Sequence, residues 1–162
     1  MAAKGRKTKA HEVRIDNRRA RRDYHIDATL ECGIKLTGTE VKSIRNGQAS
    51  LGEGYVRASD GDRVELVLHG VHIAEYPPAG EARQHKPTRD RVLLAHRREI
   101  GKLAEHTRAK GQTIVPLKIY FLRGRVKLLV GLARGKRHHD RREDLKERQA
   151  RRDIDRAMTK KM

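Results

Sequence analysis

One cysteine, no tryptophan and only five tyrosine or phenylalanine side chains in 162 residues narrow what this chain can be. Cys32 standing alone excludes a disulfide framework and a thiolate metal cluster, and it fits a reducing compartment. Tyr24, Tyr55, Tyr76, Tyr120 and Phe121 are too few for a protein that reads single strands mainly by stacking bases on exposed rings. No apolar run approaches the ~18 residues of a spanning helix. The opening MAAKGRKTKA also lacks the apolar centre of a signal peptide. A cytoplasmic chain with no membrane partner is the expectation.

Catalytic chemistry is equally sparse. Cys32 alternates into the apolar side of TLECGIKL and reads as a small core residue rather than a nucleophile. His69 and His72 have H-x-x-H spacing, but on a strand and turn that offset aims the rings to opposite faces. His138 and His139 sit in a basic run that repels a cation. Gly52-Glu53-Gly54 is a lone GxG ahead of a strand, not a phosphate-cradling loop ahead of a helix. With no carboxylate dyad, cofactor loop or ligand set, the expectation is a non-enzymatic protein without cofactor or metal.

What the chain has is positive charge. Thirty-nine Lys and Arg against 21 Asp and Glu leave a net charge of +18. No fold needs that excess and self-repulsion opposes it, so a polyanionic partner is the economical explanation. Both ends are basic: nine cations against three acids over residues 1–25, and twelve against six over 133–162. Only the second is rich in acids placed to support a helix, with Asp144 and Glu147 each four residues before an arginine.

Between the ends, short alternating segments predict strands. Leu30, Cys32, Ile34 and Leu36 share one face, which leaves Glu31 on the other, exposed one. YVRASDGDRVELVLHGVHI predicts a hairpin turning at Asp60-Gly61, and IVPLKIYFLRGRVKLLVGLA another turning at Arg123-Gly124. Pro116 points to an edge or strand start. TEVKSIRNG predicts a two-turn helix with Thr39 as cap and Gly47 as terminator. A longer helix is expected from Thr88 to Gly111, with Ile100, Leu103, Ala104 and Thr107 on one face. The proline-bearing stretch from Glu75 to Thr88 reads as a surface loop. About six strands with two to three short helices make a mainly β fold, and a small closed barrel of the oligonucleotide-binding type satisfies that count.

The run NRRARRDY, from Asn17 to Tyr24, sets four arginines beside an Asn and a Tyr, which suits phosphate and ribose contacts. Glu31, an acid in basic surroundings, suits base amino groups or ribose hydroxyls. A ribosomal-RNA-binding protein or initiation-factor-like barrel would account for the charge equally well.

NRRARRDY, LECGIKLTGTEVKSIRNGQASLGEGYV and VGLARGKRHHDRREDLKER together resemble the SmpB family, the transfer-messenger RNA (tmRNA) binding proteins of bacterial trans-translation. The resemblance runs in order from about His11 to Arg148. It implies a flexible basic N-terminus over 1–10 and an RNA-binding barrel over 11–132. It also implies a basic tail over 133–162, for which we expect disorder in the free protein and a helix on the ribosome. The implied function is to bind the tRNA-like domain of tmRNA (SsrA RNA) and bring it to stalled ribosomes. The implied protein is a monomer that meets elongation factor Tu and alanyl-tRNA synthetase through the RNA.

Position by position, the resemblance assigns tmRNA contacts to Asn17, Arg19, Ala20, Arg21, Tyr24, Glu31 and Tyr55, with Lys42, Arg45 and Gln48 on and after the first helix. It assigns the decoding centre and mRNA channel to Gly135, Lys136, Arg137, His139, Asp140, Arg141, Arg142, Asp144, Lys146, Glu147 and Arg148. His139 would be the flat side chain that stacks on a ribosomal base. Leu145 stands where the family often has Ile, and the match weakens after Arg148.

Overall fold

The computed structural model describes residues 13–159, with the side chains of His138, His139 and Arg141 outside the described set. In chain order the elements are β1 (Arg14–Asp16), α1 (Arg18–Asp23), β2 (Tyr24–Ile34), α2 (Gly38–Arg45), β3 (Ala49–Ser50), β4 (Tyr55–Asp60) and β5 (Val64–His69). There follow β6 (His72–Ile73), β7 (Arg91–Leu94), α3 (Arg97–Arg108), β8 (Gln112–Leu122), β9 (Arg125–Gly135) and α4 (His138–Thr159). The expected N-terminal segment 1–10 lies outside the described residues.

Six strands pair in the order β8-β4-β5-β7-β2-β9, and β9 pairs back onto β8, so the sheet closes into a ring. Closure removes the exposed sheet edges that invite association. β1 attaches beside β8, with Ile15 opposite Ile119, and β3 and β6 form a small separate ladder. The seams differ in length. β8 and β9 pair over ten positions and β2 and β9 over nine, whereas β4 meets β8 at the single pair Val56 and Ile114. Leu66, Leu68, Val71, Ile73, Ile114, Ile119, Leu128 and Val130 fill the interior. Ile100 and Leu103 of α3 pack into the same core.

Both predicted hairpins form. Arg123 and Gly124 each have positive φ, as a two-residue turn twisted to suit its strands requires. Cys32 is fully buried, and burial pushes its thiol up to about 11.

Other expectations are corrected. The segment expected to be helical from Thr88 divides into β7 and α3, because Arg91 and Leu93 point inward while Val92 and Leu94 point outward. That period-2 burial is a strand's, and it supplies the strand that closes the ring. The α3 cap is His96, whose N–H donates to the Glu99 carboxylate at 2.9 Å. The α2 cap is Thr37, not Thr39, because the Glu40 carboxylate accepts from the Thr37 N–H at 2.8 Å. Thr39 turns instead to buried His85, Oγ1 to Nδ1 2.8 Å. Pro116 lies inside β8 at an irregularity in the β8–β9 register, where no ladder bond from its nitrogen is needed.

Gly70 ends β5 with φ +68°, and a Cβ there would lie 2.7 Å from the Glu53 carbonyl oxygen. Gly70→Ala is expected to lower the unfolding free energy by at least about 1–2 kcal/mol from backbone strain alone, with the contact adding to it. A urea titration measures the loss. A stability equal to the wild type would show that this turn relaxes freely.

Candidate nucleic-acid interface

NRRARRDY folds as α1, a helix of six residues that composition does not announce because Ala20 is its one buried residue. Asn17 makes it possible. Its Oδ1 accepts from the Ala20 N–H at 3.1 Å, and its Nδ2 donates to the carbonyls of Pro116 at 2.8 Å and Leu51 at 3.1 Å. The same residue's N–H donates to Leu117 at 2.7 Å. Asn17 is therefore buried with its carboxamide occupied inside the protein, fixing α1 against the β8 irregularity. Ala20, 2% exposed, packs with Val115, Leu117 and Ala133 and keeps the helix close to the sheet.

This seating places the exposed side chains. Arg19, Tyr24 and Tyr55 line a cleft of about 290 Å³ whose floor includes Asn17, Ala20 and Gly52-Glu53-Gly54. Arg19 pairs with Glu53 across it. The GxG read from sequence is thus part of the cleft floor, and Gly54 has no room for a side chain, since a Cβ would lie 2.6 Å from Val71 Cγ2. Tyr24 also borders a second groove, with Arg21, His25 and Lys136.

Glu31 does lie on the exposed face of β2, but its carboxylate is engaged. The Tyr120 hydroxyl donates to one oxygen, and Lys127 Nζ lies 3.4 Å from the other. The Tyr120 hydrogen bond chiefly holds Glu31 below the ordinary carboxylate range. Burial and that same bond push Tyr120 up to about 12. Lys42 and Arg45 ride on α2 with their cations over the Tyr76 and Phe121 rings, 5.1 and 5.5 Å from the centroids. Gln48 is exposed just beyond. None of these four lines the α1 cleft.

α2 is positioned by charge buried beneath it. Glu40 and Arg91 are both fully buried, with Arg91 Nε 2.8 Å from Glu40 Oε1. Arg89 adds contacts at 2.9 and 2.6 Å. The remaining Arg91 donors reach the carbonyls of Val71, Arg89 and Pro87 at 2.8–2.9 Å. Burial would raise Glu40, but hydrogen bonds from Arg89, the Thr37 N–H and Arg91 outweigh it and hold the carboxyl below its ordinary value.

The tail leaves the ring beside α1. Gly135 pairs with Tyr24, and the Lys136 N–H donates to Asp23 at 2.9 Å. The Lys136 ammonium donates to the Arg21 carbonyl at 3.1 Å and pairs with Asp144, which it holds below the ordinary carboxylate range. Asp140 accepts from the Arg137 N–H at 3.1 Å and lies 3.6 Å from His25 Nε2. Of the two helix pairs expected from spacing, Glu147–Arg151 forms at 3.7 Å, while the Asp144 carboxylate turns inward to Lys136. Arg142, Lys146 and Arg148 are exposed on α4, as are Leu145, Ile154 and Met158. The side chains of His139 and Arg141 lie outside the described set.

Among the described residues no group of His, Cys, Asp and Glu could hold a metal ion, and no helix is long and apolar enough to cross a membrane. The family model described as SmpB protein matches residues 14–160. The chain belongs to the SmpB family. It is 52% identical over 146 residues to an SsrA-binding protein of Roseiflexus sp. (strain RS-1), covering 90% of each chain. It is 46% identical over 153 residues to the SsrA-binding protein of Staphylococcus haemolyticus, covering 94% and 96%. A solved structure described as "tmRNA-SmpB: a journey to the center of the bacterial ribosome" superposes with a TM-score of 0.65 at 45% identity, covering 82% of this chain and 94% of that one.

In this SmpB-family chain the assigned contacts fall into separate groups. Arg19, Tyr24 and Tyr55 meet at the cleft with Asn17 and Ala20 beneath them, and Arg21 faces the second groove. Glu31 joins Tyr120 and Lys127, and α2 carries its own cations. Sequence reasoning missed Glu53, Tyr120 and the buried Glu40 pair. For Glu40 the signal was present, since Thr37-x-x-Glu40 is a capping-box pattern.

Proposed function

We propose that this chain binds the tRNA-like domain of tmRNA and delivers it to stalled ribosomes, the tail then occupying the empty mRNA channel. The observation that carries the reading is the α1 cleft, where Arg19 on the helix fixed by Asn17 meets Tyr24 and Tyr55 in a chain half identical to SsrA-binding proteins. Phosphates supply a sequence-independent attraction for the basic surface, and ring faces suit unpaired bases. A tRNA-like RNA without an anticodon arm leaves a gap at the decoding site, and a basic domain filling it by shape and charge completes a tRNA-sized object. The tail, of mixed charge and exposed from Leu145 to Thr159, orders on entering the channel, and an occupied channel excludes it. The protein acts by binding in the cytoplasm, reaching elongation factor Tu and the synthetase through the RNA.

Gel-shift competition tests this with the full chain, a transcribed tRNA-like domain and a ribosomal RNA fragment. The tRNA-like domain is expected to win. The double variant Arg19→Ala, Arg21→Ala is expected to weaken binding about tenfold and to flatten the slope of log affinity against log salt by about two. Equal competition by the ribosomal fragment would sink the proposal.

A further inference from the structure

Tyr55 and His69 stand opposite each other across the β4–β5 hairpin. Their rings stack, with centroids 5.1 Å apart and planes 22° from parallel. Tyr55 is 51% exposed and borders the α1 cleft, whereas the His69 side chain is 21% exposed. One face of the tyrosine is therefore backed.

The backing ring is itself held. His69 Nδ1 lies 2.8 Å from Asp90 Oδ1. Asp90 in turn sits between Arg89 and Arg91, both bound to buried Glu40, and its own carbonyl accepts from Arg89 Nη1 at 3.2 Å. A line of contacts thus runs from the buried charges to the rim of the cleft.

We propose that His69, held by Asp90, is a positioning residue that presents Tyr55 as a flat ledge for an unpaired nucleobase of the RNA bound at the α1 cleft. This rests on the RNA-binding function proposed above and deepens it. A base that settles on a freely turning tyrosine must first stop the ring, and a ring already stacked and anchored removes that entropic cost. Every base has a flat face, so the ledge discriminates paired from unpaired nucleotides more than one base from another. Arg19, held by Glu53 on the same cleft, supplies the cation beside it.

The test is a double-variant cycle in the full chain, read by filter binding to a transcribed tRNA-like domain. His69→Ala is expected to weaken binding three- to tenfold, Asp90→Ala about twofold, and neither to matter once Tyr55→Ala is present. His69→Phe, which keeps the flat backing, is expected to bind within about twofold of wild type. His69→Leu, of similar bulk but not flat, is expected to resemble His69→Ala. This Phe-against-Leu comparison decides the matter even where His69→Ala folds poorly. In the free chain, His69→Phe should retain and His69→Leu lose the ring-current displacement of the Tyr55 proton resonances.

A wild type that binds the RNA with His69→Leu binding equally well would overturn this inference alone. So would a His69→Ala loss of the same size with and without Tyr55→Ala. A wild type that fails to bind the RNA overturns the functional proposal and this inference together.

Discussion

Glu40→Ala is expected to destabilise the fold by about 3–5 kcal/mol, because it leaves a fully buried arginine without its counter-charge. Arg91 stays charged at any working pH, and its carbonyl partners on Val71, Arg89 and Pro87 solvate it without neutralising it. Glu40 also accepts the Thr37 N–H in the first turn of α2, where the helix dipole favours an anion, so capping is lost in the same step. Because the folded-state pKa of Glu40 is depressed, its contribution is complete above the unfolded carboxylate value. It is lost as pH falls through that value and then the lower folded one. Stability should therefore be flat through neutrality and fall on the acid side, and Glu40→Gln should flatten that acid fall. Urea titrations of the three proteins across pH measure both effects. A cost below about 1 kcal/mol for Glu40→Ala would mean that the ring tolerates an unpaired guanidinium in its wall.

Removing residues 138–162 is expected to abolish tagging of products on stalled ribosomes while leaving affinity for the tRNA-like domain within about threefold. The cut removes nine cations along with six acids, so its share of the net charge is modest. It spares Lys136, whose backbone and ammonium are tied to Asp23 and Arg21 of α1. α4 beyond its first turns is exposed, and its Glu147–Arg151 pair is 70–80% exposed, worth a few tenths of a kcal/mol at most. Such a helix has little reason to persist alone. A reconstituted stalled ribosome with truncated protein measures the first effect and filter binding the second. Full tagging without the tail would refute its assignment to the channel.

Legibility from sequence followed how far each residue obeyed its element's pattern. The β8–β9 hairpin was readable because two long alternating runs flank Arg123-Gly124. β7 was not, because Arg91 is a charge pointing inward, and a charge at an apolar position breaks the alternation that marks a strand. α1 hid for a related reason: RRARRD buries one alanine, and it is held by the Asn17 side chain, which caps it at Ala20 and reaches two carbonyls distant in sequence. The cleft was half visible. Resemblance assigned Arg19, Tyr24 and Tyr55 to one surface, but spacing cannot say that the Asn17 carboxamide is occupied or that Lys136, one cation among many, is an anchor. Those distinctions depend on what lies across the fold.

The uneven seams of the ring bear on how the protein breathes. Tyr55 belongs to β4, joined to β8 by one residue pair, while Arg19 rides on α1, fastened through Asn17 to the Pro116 and Leu117 carbonyls of β8. The cleft therefore spans the part of the circumference with the fewest backbone bonds, where local opening costs least. An RNA that gripped both banks, as proposed above, would act as a clasp across that gap, a fastening supplied by the cargo.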